Sequence, residues 1–212
     1  MTTTTMNTTA RFWDRIADRY AAKPVPDEAV YQRKLAITRD LLDPHAQVLE
    51  LGCGTGSTAI ALAPCAAHIL ATDVSSRMID IAREKATAAG ITNVEFRQLA
   101  VDRVPMPTAS LDAILAHSLL HLLDDWRAVI AEAHRALRPG GVLVMSTVCL
   151  RDGFGFMRPV APIGRWLGLL PRLSFFTRDE LETDLEMAGF EIEQAWQPGA
   201  KRGVFHVARK PS

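Results

Sequence analysis

Cysteine is scarce in this 212-residue chain: Cys53, Cys65 and Cys149 are all it has. They form no C-x-x-C pair and no even framework. A disulfide-stapled fold is therefore not expected, and a reducing, cytoplasmic setting is. No stretch approaches the roughly 18 consecutive apolar residues of a spanning helix. An excess of one charge is also missing, since 24 Lys and Arg balance 24 Asp and Glu. Non-specific nucleic-acid binding draws on surplus basic charge to neutralise phosphates, so no nucleic-acid partner is expected. The threonine-rich start, Met1 to Thr9, lacks the apolar core of a secretory signal and reads as a frayed tail. Internal repeats, G-x-S-x-G, a P-loop and clustered metal ligands are absent too.

What is present centres on Val48-Leu49-Glu50-Leu51-Gly52-Cys53-Gly54-Thr55-Gly56. The apolar run reads as a buried parallel strand ending beside an acid. Three glycines at alternate positions permit positive φ and close backbone approach to a ligand. Ser57 or Thr58 then caps a helix starting at Ala59, whose N-terminus adds free N–H groups and a positive dipole end. A dinucleotide fingerprint G-x-G-x-x-G would need glycine where Ser57 stands, which disfavours a nicotinamide-dependent oxidoreductase. His68 to Asp73 reads as the second strand. Asp73 lies near the spacing of about 20 residues at which a carboxylate meets ribose hydroxyls.

The series of strand, Glu50, Gly52, Gly54, Gly56 and helix resembles motif I of the class I S-adenosylmethionine-dependent methyltransferases. The run Leu137-Arg138-Pro139-Gly140-Gly141-Val142-Leu143 resembles a later segment of the same family. The resemblance covers about residues 45–150. It implies an α/β, Rossmann-like three-layer sandwich with a seven-stranded, mostly parallel sheet and an antiparallel C-terminal hairpin strand. It also implies S-adenosylmethionine as cofactor and S-adenosylhomocysteine as product. The chain then reads as one domain, 1–212: a helical cover (1–42), a cofactor core (43–150), a lid (151–176) and a closing helix and hairpin (177–212). Ser75 or Ser76 is expected to cap the helix after Asp73, Val142 to Val148 to form the fifth strand, and Thr177 with Glu180 to form a capping box.

By that resemblance the cofactor residues are Glu50, Gly52, Cys53, Gly54, Gly56 and Asp73, with Val74 and Met78 over the adenine. Val74 and Met78 read equally well as core. The family usually places an acid after the third strand to accept from the adenine amino group, and here Ala100 occupies that position. Backbone groups of Ala100 and Val101, or Asp102, would take over. In the helical cover, Phe12, Ile16 and Tyr20 share one face with Trp13 and Ala17 beside it. That face either packs or lends Tyr20 to the cofactor and Trp13 to the acceptor.

The fourth strand, Leu111 to Ala116, runs into His117 at the carboxyl end, where open α/β sheets bind ligands. His117 is expected to contact the cofactor and to serve as general base, its ordinary pKa lying near neutrality; capping a helix is the other reading. His121 lies four residues on, but no H-E-x-x-H glutamate accompanies the pair, so no metal is expected. No N-P-P-Y follows, which in the family disfavours exocyclic-amine acceptors. The segment 151–176 is rich in large apolar groups and carries Arg151, Arg158, Arg165 and Arg172. It reads as a lid over a lipophilic or aromatic small molecule, with Phe154, Met157 and Trp166 beside His121 as acceptor contacts. Peripheral membrane contact and ordinary core are its alternatives. The expected activity is O-, N- or C-methylation of such an acceptor, with distant similarity to ubiquinone and menaquinone C-methyltransferases. A cofactor-binding, non-catalytic subunit acting with a partner protein is the alternative. Sequence leaves the oligomeric state open.

Overall fold

A computed structural model describes residues 3–166, 168–199 and 202–212, with side chains from residue 8 onward except that of Trp166. The expected contact through Trp166 and the readings of Leu167, Ala200 and Lys201 therefore lie outside the described residues. The strands form one mixed sheet in the order β3-β2-β1-β4-β5-β7-β6, defined below. This is the seven-stranded, Rossmann-like sheet expected. The chain divides into two compact units, the first comprising residues 1–105 and 111–115, the second the remainder.

In the first unit, α1 (Thr3–Ala21) and α2 (Glu28–Asp40) precede β1 (Gln47–Leu51). Helix α1 starts at Thr3 instead of leaving a frayed tail through Thr9. Extending an existing helix costs far less than nucleating one, so threonine's modest propensity does not end it. Asp27 caps α2, its Oδ1 accepting the Val30 N–H at 3.1 Å. After β1 come α3 (Ser57–Leu62), β2 (His68–Asp73), α4 (Ser76–Ala88), β3 (Val94–Gln98) and β4 (Leu111–His117). Strand β1 lies parallel to both β2 and β4, and β2 parallel to β3. Val48, Leu49, Leu51, Ile69, Ala71, Ile114 and Leu115 are buried along these strands. Continuous apolar runs suit strands covered on both faces.

Helix α1 packs on α4 through a face one residue removed from the expected Phe12–Ile16–Tyr20 stripe. Ala17 is fully buried against Met78 and Ile81, with Trp13 and Ala21 beside it. The small side chain of Ala17 lets the two helices approach closely. Tyr20 is left 52% exposed.

In the second unit, α5 (Trp126–Ala136) leads into β5 (Leu137–Thr147). Asp125 caps α5 through the Ala128 N–H. The strand begins at Leu137, five residues before the expected start at Val142. Lys210 explains the clean handover: its ammonium donates to the carbonyls of His134 and Leu137 at 2.8 Å, satisfying the helix end. Short helices α6 (Leu150–Phe154) and α7 (Ala161–Trp166) follow, then α8 (Arg178–Met187), β6 (Glu191–Trp196) and β7 (Val204–Arg209). Thr177 and Glu180 form the expected capping box. Strand β7 is antiparallel to β5 and to β6, as the hairpin reading required. Trp126 and Phe176, ring centroids 4.5 Å apart, anchor this unit's core with Leu181, Leu185 and Phe205.

Candidate active site

Gly52, Gly54 and Gly56 all adopt left-handed backbone, with φ of 67°, 53° and 74°. They do so for different reasons. A Cβ on Gly54 would meet nothing within 4 Å, so its missing side chain leaves an open approach to the turn. A Cβ on Gly56 would strike Ala82 Cβ and Phe96 Cε1 at 2.7 Å, so that glycine serves packing. Gly56 is itself the N-cap of α3; the Ser57 and Thr58 side chains do not cap it. The left-handed glycine starts the helix one residue earlier than a Ser57 cap would. Lys85 clasps the back of the turn, its ammonium 2.9 Å from Thr55 Oγ1. Cys53 donates its backbone N–H to the Thr72 carbonyl at 2.9 Å. Burial pushes its thiol well above the ordinary cysteine range, which disfavours the reactive thiolate.

Glu50 is 2% exposed, and its Oε2 has no hydrogen-bond partner. Its carboxyl accepts from the Ala59 backbone N–H. Loss of hydration raises its pKa to about 8 against that hydrogen bond, with the charge of Asp73 adding to the rise. A buried carboxyl with one unmet oxygen is the arrangement a cation or hydrogen-bond donor would complete. Tyr31 of α2 stands near it and is hydrogen-bonded to Thr58. This residue was missed from sequence, although its i, i+4, i+7 register with the buried Leu35 and Thr38 placed it on the inward face.

Asp73 ends β2 half-buried. Its Oδ2 accepts the Gly54 N–H at 3.0 Å and its Oδ1 the Ser75 N–H at 2.9 Å. Each carboxylate oxygen keeps a further lone pair, so a ribose diol can still be held. Burial raises its pKa, opposed by these backbone hydrogen bonds. Ser75 caps α4 by accepting the Met78 N–H, as expected, and donates to Asp14 of α1 at 2.6 Å. Asp14 also accepts the Arg77 N–H at 3.1 Å. The expected cover helix is thus fastened to the turn that follows Asp73. Tyr20 brings its phenol near Asp73: lost hydration first, and that carboxylate's charge second, raise its pKa.

The adenine-side candidates divide. Met78 is 2% exposed within the α1–α4 core, and Trp13 packs against the same cluster. Val74 stays half-buried, its carbonyl accepting from Gln98 at 3.2 Å. Ala100 is buried in extended backbone ahead of a 3₁₀ turn, Val101–Arg103, that carries the exposed Asp102.

In the second unit, His117 Nδ1 lies 3.3 Å from Ser146 Oγ, and its ring stacks on Phe205 at 6.4 Å between centroids. The next residue, Ser118, takes a left-handed φ of 54°, and its N–H donates to the Ser146 carbonyl at 2.6 Å. A non-glycine residue held there is strained, and such strain concentrates at functional sites. His121 Nδ1 lies 3.0 Å from Thr147 Oγ1, and desolvation lowers its pKa to about 4. It is therefore neutral near pH 7. The two rings turn to successive hydroxyls of β5 rather than to a common point. The His121 carbonyl accepts from Ser174 at 2.8 Å, which ties the apolar segment to this strand end. Phe154 and Met157 are half-buried in that segment.

This order of strand, acid, glycine turn and second acid has a counterpart among known proteins: residues 48–141 match the methyltransferase domain family. Residues 48–141 thus carry a methyltransferase domain, and its relatives are S-adenosylmethionine-dependent. A probable S-adenosylmethionine-dependent methyltransferase of Mycolicibacterium smegmatis is 34% identical over 169 residues, 76% of this chain and 56% of that protein. A ubiquinone biosynthesis O-methyltransferase of Xylella fastidiosa is 33% identical over 154 residues, 70% of this chain and 62% of the relative. The chain thus spans somewhat over half the length of these curated relatives. The crystal structure of the YcgJ protein from Bacillus subtilis shares its fold, with a TM-score of 0.70 at 16% identity over 85% of this chain and 99% of that one. No helix among the described residues is long and apolar enough to cross a membrane.

Proposed function

We propose that this methyltransferase methylates a small lipophilic or aromatic acceptor on O, N or C. The observation that carries the reading is the open approach at Gly54 beside the buried Glu50 carboxyl with its unmet oxygen. When bound, S-adenosylmethionine supplies a methyl group on a cationic sulfonium; the C–S electron pair stays with sulfur as S-adenosylhomocysteine forms. Glu50 answers a positive group at the cofactor's amino-acid end. Asp73 holds the glycine turn in shape and accepts from the ribose. Gly52 and Gly54 let the backbone come close. His117, oriented by Ser146 and Phe205, takes the proton that the acceptor's nucleophilic atom sheds as its bond to carbon forms.

The apolar segment 151–176 supports a lipophilic acceptor. Likeness to a ubiquinone biosynthesis O-methyltransferase supports oxygen as the accepting atom. The free cysteines support a cytoplasmic site of action. A second reading, a cofactor-binding subunit that serves a partner protein, draws on Ala100 standing where the family carries an acid.

Formation of S-adenosylhomocysteine with alkylated and polar phenols as acceptors tests the proposal. Turnover is expected with the alkylated phenols and should fall at least a hundredfold in His117→Ala. Cofactor binding without turnover on any acceptor would favour the subunit reading.

A further inference from the structure

The segment after α6 is built the wrong way round for a core helix. Backbone hydrogen bonds run from Arg158 N–H to the Gly155 carbonyl, from Val160 to Met157, from Gly164 to Val160 and from Leu169 to Gly164. Residues 155–166 therefore form short successive helical turns. Small residues face inward: Ala161 is buried, and a Cβ on Gly164 would strike Leu170 at 2.7 Å. Bulky ones face outward. Phe156, Val160 and Ile163, at i, i+4 and i+7, are 75%, 53% and 59% exposed, and Leu169 is 70% exposed. Ordinary solvated turns bury their large apolar groups, and no side chain among the described residues covers these four.

Charge indicates what covers them. Between Asp152 and Asp179 there is no acidic residue, while Arg158, Arg165, Arg172 and Arg178 fall within the interval. The chain as a whole is neutral, so this basic excess is local. Arg172 pairs with Asp124, and Arg178 with Glu182. Arg158 and Arg165, seven residues apart in the same stretch, have no acidic partner among the described residues. An apolar row accompanied by unpaired guanidinium groups suits insertion at an interface of anionic headgroups and acyl chains.

We propose that Phe156, Val160, Ile163 and Leu169, with Arg158 and Arg165, dock the protein on an anionic lipid surface. This extends the lipophilic-acceptor reading, on which its purpose rests: an acceptor dissolved in the bilayer would be taken at the surface.

The test is sedimentation of the whole chain with phosphatidylcholine vesicles, with and without phosphatidylglycerol, alongside light scattering in the absence of lipid. Wild-type protein should sediment with the anionic vesicles and be released by added salt. Arg158→Gln/Arg165→Gln should lower partitioning about thirtyfold, given about fivefold per basic residue. Phe156→Ser/Ile163→Ser should abolish it, with unchanged thermal unfolding showing that both variants fold. Failure of wild-type protein to bind either vesicle overturns the proposal, as does equal binding to both. Self-association that the serine variant removes would make the face a contact between copies and also overturn it. Turnover of a water-soluble acceptor is read separately, so loss of the lipid claim leaves the methyl-transfer claim standing.

Discussion

Asp73 accepts the backbone N–H of Gly54 at 3.0 Å, so the acid at the end of β2 holds the glycine turn that follows β1. With the Ser75 N–H on its other oxygen, one carboxylate fixes both the turn and the start of α4. Asp73→Ala should lose these two charge-assisted hydrogen bonds, costing about 2–4 kcal/mol in urea unfolding. It should weaken S-adenosylmethionine binding as well. Unchanged stability would mean that the carboxylate plays no part in shaping the turn.

The glycines of the turn should separate in mutagenesis. Gly54→Ala directs its Cβ into open space, so the protein should fold with a modest strain cost of about 1 kcal/mol and lose cofactor affinity. Gly56→Ala must displace Ala82 or Phe96 and should instead lower the thermal midpoint strongly. Calorimetric titration and thermal unfolding of both variants distinguish the roles. Equal loss of stability would contradict them.

Glu50 makes stability depend on pH in a defined direction. Its carboxyl keeps a proton up to about pH 8 in the folded chain, against an ordinary value of 4.5. Its contribution is therefore full below about pH 4.5 and is lost as pH rises through 8. Glu50→Gln should remove that slope, gaining on wild type by about 4 kcal/mol between pH 5 and pH 8.5. Urea unfolding at both pH values checks this; parallel curves would show that Glu50 is charged in the free protein.

Asp14 links the cover helix to the cap of α4 through Ser75 and the Arg77 N–H. Asp14→Ala should free α1 and speed amide exchange along it, while the buried strands β1 and β2 keep their protection. A destabilisation of about 1–3 kcal/mol confined to α1 is expected. Uniform acceleration throughout the chain would show that α1 is part of the global folding unit.

Much of this was legible in the sequence because local chemistry determined it. The glycine turn, the Ser75 cap and the Thr177–Glu180 box each depend on residues within a few positions of one another, and Asp73 stands out by its spacing from the turn. The misreadings arose where distant partners decide. Tertiary contact chose the Trp13–Ala17–Ala21 face of α1 because Ala17 fits against Met78, which no periodicity of α1 alone reveals. Lys210, far along the chain, caps α5 and lets β5 begin at once. The unmet oxygen of Glu50 and the nearness of Tyr31 required three-dimensional placement, although an acid on a buried strand was itself a visible anomaly.

Calorimetric titration of the wild-type chain with S-adenosylmethionine, S-adenosylhomocysteine and NADH tests the central claim most directly. The account predicts saturable binding of both sulfur compounds, lost in Gly54→Ala, and no heat from NADH. Binding of NADH alone, or sulfur-cofactor binding that Gly54→Ala leaves intact, would contradict it.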